Sequence, residues 1–277
     1  MANGAVLASG AMTFEDLRYD TNGHIATITL DRPEARNAYS AAMVTSLVAA
    51  LDAAEADDSV RCIILSANGK SFHAGGDLKA MRDGTGMFSG APLALRRQYI
   101  DGIQTIPKRF AACDKPIIAA VNGAAIGAGL DLACMCDLRV ASTKAKFGST
   151  FVKVGLVPGD GGAYFLARVV GFPRALELVL TGRLIDPQEA LQIGLITQLV
   201  EPDALADAAL ALANQIAANA PLAVQMTKRA AYRSWDSNVD TALELAATYQ
   251  GMVQNTEDHQ RAVAAILGKS KPEFVGR

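Results

Sequence analysis

Apolar residues fall into two rhythms along this chain, and the rhythm changes once. From His24 to Leu30 they alternate, with Ala26, Ile28 and Leu30 on one face, the period of a half-buried strand. From Ser40 to Ala56 they recur as Val44, Leu47, Val48, Leu51 and Ala54, the spacing of one helix face, with Ser40 as N-cap. Continuous apolar, β-branched runs at Val60–Ser66 and Pro116–Val121 predict two further strands. From Asp203 onward the pattern is helical almost throughout, including 204–218, 222–235 and 239–253. The expectation is a single α/β core over 1–202 and a helical region over 203–277.

The strands at Val60–Ser66 and Pro116–Val121 both run into glycine. The first is followed by Phe72-His73-Ala74-Gly75-Gly76-Asp77-Leu78 and the second by Asn122-Gly123-Ala124-Ala125-Ile126-Gly127-Ala128-Gly129-Leu130-Asp131. Small residues at a strand's carboxyl end bring bare backbone close to a ligand, at the edge where α/β sheets bind them. Two such loops can aim two amide donors at one carbonyl oxygen that becomes negative in a transition state, an oxyanion hole. Gly76 and Ala128 are the expected donors. Ala128 opens a helix, where N–H groups lack partners and the macrodipole favours negative charge. Asp131 lies three residues on, so helical spacing puts its carboxylate on the same face, a position suited to moving protons near that carbonyl.

Ordinary structural roles are also assigned from the residues. Asp77 is expected to cap a helix begun at Leu78, and Asp160 to cap one running from Ala163 to Val170, with a second catalytic carboxylate as its alternative role. His73 adjoins the loop but has no orienting partner in the sequence and is expected to be exposed. Gly84 to Gly90 and the helical stretch 91–113 form a long excursion suited to a lid over a pocket.

These motifs, in this order, resemble the crotonase family, the enoyl-CoA hydratase/isomerase superfamily. The likeness begins at Leu30-Asp31-Arg32-Pro33-Glu34-Ala35-Arg36-Asn37-Ala38 and continues through both glycine loops. It then takes in Cys136-Asp137-Leu138, Gly155-Leu156-Val157-Pro158-Gly159-Asp160-Gly161-Gly162, and the ending Lys271-Pro272-Glu273-Phe274. It implies a crotonase (ClpP-like) spiral of ββα units with a C-terminal helical trimerisation region, and a homotrimer or dimer of trimers. The implied chemistry is enolate stabilisation on an acyl-CoA thioester: hydration of a 2-enoyl-CoA first, double-bond isomerisation second, or acyl-CoA binding without turnover. Coenzyme A enters only as part of the substrate, with no separate cofactor and no metal. Arg36, Ala74 and Lys79 are placed at the coenzyme A, and Phe274 at the ligand of a neighbouring subunit. The family often has a basic residue where Glu34 stands.

Two positions depart from the family's pattern. Its hydratases hold water between two glutamates; the first matches Asp131, but the second matches Phe151, which carries no proton. Some relatives place an aspartate where Gly159 stands here, one residue before Asp160.

The 277 residues carry 51% hydrophobic side chains and a formal net charge of −2. That composition suits a sizeable core and leaves no basic stripe for nucleic acid. Cys62, Cys113, Cys134 and Cys136 show no metal-ligand spacing and read as buried free thiols of a reducing cytoplasm. Residues 1–12 contain no basic side chain, which disfavours a targeting peptide, and no apolar run is long enough to span a membrane.

Overall fold

The computed structural model describes residues 13–277; the reading of residues 1–12 lies outside them. Nine strands are present among these residues: β1 (Leu17–Asn22), β2 (Ile25–Leu30), β3 (Cys62–Ala67), β4 (Ser71–His73), β5 (Ile117–Val121), β6 (Ala124–Ile126), β7 (Leu138–Ser142), β8 (Lys146–Gly148) and β9 (Gln198–Val200). A six-stranded sheet runs β1-β2-β3-β5-β7-β9, and a three-stranded sheet runs β4-β6-β8. Only the β1–β2 hairpin is antiparallel; every other pairing in the two ladders is parallel.

The order makes a spiral. Each of β3, β5 and β7 lies in the large sheet and is followed within a few residues by a short strand, β4, β6 or β8, in the small one. The chain therefore turns a corner three times at the same place, and the glycine loops follow the short strands β4 and β6. The spiral of ββα units expected from the family is the observed fold.

Twelve helices complete the described chain: α1 (Ala41–Ala56), α2 (Leu78–Asp83), α3 (Pro92–Gln98), α4 (Thr105–Ala112), α5 (Ala128–Met135), α6 (Gly162–Val170), α7 (Phe172–Thr181), α8 (Pro187–Gln192), α9 (Leu205–Ala217), α10 (Pro221–Trp235), α11 (Val239–Gln254) and α12 (Glu257–Leu267). Helix α1 starts as expected, with Ser40 Oγ accepting from the Met43 N–H at 2.9 Å. Asp77 caps α2, accepting from the amides of Lys79 and Ala80.

Strand alternation explains why the β3 run is apolar at successive positions. Ile63 and Leu65 face the main core with Leu47 and Leu51 of α1, while Cys62 and Ile64 face the opposite layer. That second layer is α9, whose Leu205, Ala209, Ala213 and Ala217 lie against Ile118, Ala120 and Val140. Alanine every four residues lets the helix axis approach the sheet closely. Thus α9, though beyond residue 202, shares a core with the strands. The four cysteines are buried and unpaired; burial pushes the thiols of Cys62, Cys113 and Cys134 up to about 12, so they stay protonated.

Helix α10 is fastened to the spiral by polar groups rather than by an apolar face. Lys228 Nζ donates to Asp137 Oδ2 at 2.7 Å and to the Lys115 carbonyl at 2.9 Å, and Tyr232 donates to Asp137 Oδ1 at 2.8 Å. Arg229 pairs with Asp114 beside them. Lys228 and Asp137 are mostly withdrawn from water, so removing one charge strands the other. Lys228→Met is expected to cost on the order of 2–3 kcal/mol, read as a lower urea midpoint at unchanged slope. A midpoint equal to wild type removes this fastening role.

Candidate active site

The two glycine corners meet. Gly75 has φ of 90°, a conformation that a side chain would strain, and a Cβ there would come within 2.8 Å of the Ile126 carbonyl oxygen and 3.4 Å of the Ala128 nitrogen. Gly129 sits so close to the His73 carbonyl that a methyl group would overlap it. Bare backbone at 75 and 129 is what allows the loops after β4 and β6 to touch.

The peptide planes at this contact are fixed from behind. The Gly75 carbonyl accepts from the Tyr39 N–H at 3.1 Å, and because the peptide is trans and planar, the Gly76 N–H points the other way. The Gly127 carbonyl accepts from the Leu130 and Asp131 amides at 2.9 and 3.2 Å, which turns the Ala128 N–H out of the α5 N-terminus. Among the described residues neither N–H has a hydrogen-bond acceptor.

Beside α5 lies a pair of acids. Asp131 and Asp160 are both buried, and none of their four carboxylate oxygens has a conventional hydrogen-bond partner. The two carboxyls are close enough to act on each other: burial, and then the neighbouring charge of Asp160, hold Asp131 well above the usual carboxylate range. Asp160 is raised too, by burial, with the neighbouring Asp131 carboxyl opposing the rise. Each carboxyl favours its protonated form, and the two titrate as a pair. Asp131 carries no Cβ neighbour on one side because Gly162, the first residue of α6, lies against its carboxylate.

The capping role expected of Asp160 is thus corrected. The cap position of α6 is Gly161, with φ of 102°, no side chain caps the helix, and the helix begins at Gly162 rather than Ala163. The turn Gly159–Gly161 points the Asp160 carboxyl inward instead. His73 is corrected as well: it is fully buried, its ring edge-on to Tyr39 at 4.1 Å. Its Nδ1 accepts from the Gly75 N–H at 3.0 Å, which assigns the ring proton to Nε2. Burial drives its pKa down to about 3, so it is a neutral spacer that orders the first loop.

Tyr39 was missed by sequence reasoning. Its hydroxyl is buried without a partner, and burial, then Asp160 and Asp131, raise its pKa well above the ordinary phenol value. The only signal was its place at the end of the Arg36–Asn37–Ala38 signature. Tyr99 and Gln104 were hidden in the expected lid. The Gln104 side chain donates to the Gly159 carbonyl at 2.7 Å, and the Tyr99 ring covers Gly159. The lid segment is α3 and a π-helical turn at Tyr99–Ile103, packed against the Asp160 turn.

Of the residues placed at coenzyme A, Arg36, Ala74 and Lys79 lie together. The Arg36 carbonyl accepts from the Ala74 N–H at 3.0 Å, and Lys79 follows in the first turn of α2; both basic side chains are exposed. Phe274 is elsewhere. Its carbonyl accepts from Arg61 at 2.7 Å, at the start of β3 and so at the opposite edge of the sheet from the glycine loops. Within one chain it does not join the site. Among the described residues no group of three potential metal ligands is present.

A family model for enoyl-CoA hydratase/isomerase matches residues 20–277. The chain belongs to that family. A probable enoyl-CoA hydratase of Rhizobium meliloti is 38% identical over 96% of this chain and 100% of its own length. The 1,2-epoxyphenylacetyl-CoA isomerase of Escherichia coli is 36% identical over 91% of this chain and 95% of its own. A solved enoyl-CoA hydratase structure from Geobacillus kaustophilus superimposes with a TM-score of 0.87 at 34% identity, over 95% of this chain and 99% of that one. Family membership makes this an acyl-CoA-processing enzyme of hydratase/isomerase type. No helix among the described residues is long and apolar enough to cross a membrane.

Proposed function

We propose that the site hydrates a 2-enoyl-CoA, with the thioester oxygen held between the amides of Gly76 and Ala128. The observation that carries this reading is the buried Asp131–Asp160 pair. It supplies the second carboxyl group that Phe151 denies, from a different position in the chain. Asp131 lies three residues from the Ala128 amide, near the carbon next to the thioester. Asp160 follows Gly159, which lines the cavity beyond, and is assigned to the next carbon. Ionised Asp160 takes a proton from water as the water oxygen bonds to C3. The double-bond electrons move into the thioester enolate, and Asp131 gives its proton to C2. The pair begins and ends with one proton, and the site resets when the proton taken up at Asp160 passes to Asp131. Arg36 and Lys79 would meet coenzyme A phosphates as exposed cations.

A second reading is a proton shift from C2 to C4 that isomerises a 3-enoyl-CoA. It is favoured by Phe151, whose ring lies against Gly127 at about van der Waals distance, 3.8 Å from a Cβ built there, and keeps water from that side. Incubating the purified protein with 2-enoyl-CoA and with 3-enoyl-CoA, resolving the isomeric products by liquid chromatography and weighing them by mass spectrometry, separates the two. Water uptake by the 2-enoyl substrate is expected. Conversion of the 3-enoyl substrate with no hydroxyacyl product from either would replace hydration by isomerisation. In the family such chains assemble into trimers; we propose the same for this one, with sedimentation as the check.

A further inference from the structure

A cavity of about 470 Å³ opens at Gly159, the residue before Asp160 in the chain, within the ~300–1,000 Å³ typical of ligand sites. Its walls are Tyr99, Ile100, Leu156 and Val157, which suit a hydrocarbon stem, but Arg96 lines it as well. Arg96 is three residues before Tyr99 and four before Ile100, so all three share one helix face, and Arg96 stands one turn further from Gly159. Arg82, Arg109 and Arg168 each hold an aspartate, whereas Arg96 and its neighbour Arg97 are exposed, and of these two only Arg96 lines the cavity. Among the described residues the Arg96 guanidinium has no carboxylate partner, so a planar fork of donors lines a pocket whose other polar side chain, Gln104, is spent on the Gly159 carbonyl.

We propose that the acyl group this site takes ends in a carboxylate, and that Arg96 binds it. The inference rests on the reading of the pocket as an acyl-CoA site. The thioester end sits at Gly76 and Ala128, the reacting carbons at Asp131 and Asp160, the stem along Tyr99 and Val157, and the far carboxylate on the guanidinium. A planar fork matches a carboxylate with two parallel hydrogen bonds, whereas a methyl terminus leaves the cation without a partner. Arg96 is partly open to water, so its preference is modest.

The test is calorimetric binding of saturated medium-chain ω-carboxyacyl-CoAs against neutral acyl-CoAs of the same carbon count, to wild type and to Arg96→Met, with turnover of the matching 2-enoyl-CoAs measured alongside. The wild type is expected to bind the carboxylate series about tenfold more tightly, and Arg96→Met to bring the ratio of the two dissociation constants close to one. Equal or tighter binding of the neutral series by wild type overturns the proposal. So does an equal weakening of both series by Arg96→Met, which would place Arg96 on the coenzyme A phosphates. Preference for the carboxylate series with no turnover would leave this inference standing while removing hydration, so the two fail separately. Absence of binding by either series removes both.

Discussion

Asp131→Asn is expected to lower kcat/KM roughly 10²–10⁴-fold, the usual worth of a positioned proton donor, while making the protein more stable at neutral pH. The two effects have one cause. Because burial and Asp160 raise the Asp131 carboxyl in the folded protein, the folded state keeps a proton that the unfolded chain releases. Its contribution to stability is fully present below the ordinary carboxylate pKa and is lost as pH rises through the folded value. The amide cannot ionise, and it donates to Asp160 at any pH. The variant's advantage should therefore grow with pH, to roughly 1–2 kcal/mol at neutrality, or about 2–4 °C per kcal/mol in a thermal melt. Activity of the wild type against pH should be bell-shaped, since both the fully protonated and the proton-free pair lack one of the two roles. A variant with kcat/KM within threefold of wild type would take the proton step away from Asp131. A melting difference independent of pH would show that the folded pair does not keep that proton.

How much of this was legible in the sequence depends on the range of the force that decides each element. Helix α1 and strands β2, β3 and β5 follow from periodicity and local capping, and were found. Ala128 at the start of α5 and Asp77 at the start of α2 follow from local helix rules. The three-residue strands β4, β6 and β8 do not: they are too short to show a period, β4 and β6 overlap the glycine motifs, and all three exist because the spiral pairs them with one another. Asp160 shows the same limit at the site. By local rules an aspartate before Gly161 and Gly162 is a cap, and only the packing of α6 on α5 turns it toward Asp131. His73 next to two glycines looked like a loop residue. It is buried because Tyr39, thirty-four positions earlier, closes over it. The open Ala128 amide was therefore readable from local helix rules, whereas Asp160, named as a candidate second acid, was placed beside Asp131 only by the fold.

Gly129→Ala should be among the most damaging single-methyl changes in this chain, and the reason lies in the meeting of the two loops rather than in the helix. Position 129 is the second residue of α5 with no positive φ, so by helix propensity alone alanine would stabilise it by up to about 1 kcal/mol. The His73 carbonyl decides otherwise, because it occupies the space the methyl needs and belongs to β4, which cannot yield without shifting its pairing to β6. Relief requires α5 to move away from the first glycine loop. That separates the Gly76 and Ala128 amides and carries Asp131 off Asp160. A loss of roughly 2–4 kcal/mol is expected, with a fall in melting temperature of about 5–15 °C and a drop in kcat/KM beyond what partial unfolding explains. Gly251→Ala is the matched control: it lies inside α11 with nothing within 4 Å of the new methyl, and should raise stability by up to about 1 kcal/mol. The opposite signs of two identical substitutions would isolate the steric effect. If Gly129→Ala instead stabilised the protein as Gly251→Ala does, the loops would not be in contact, and the paired donors proposed for the thioester would lose their geometric basis.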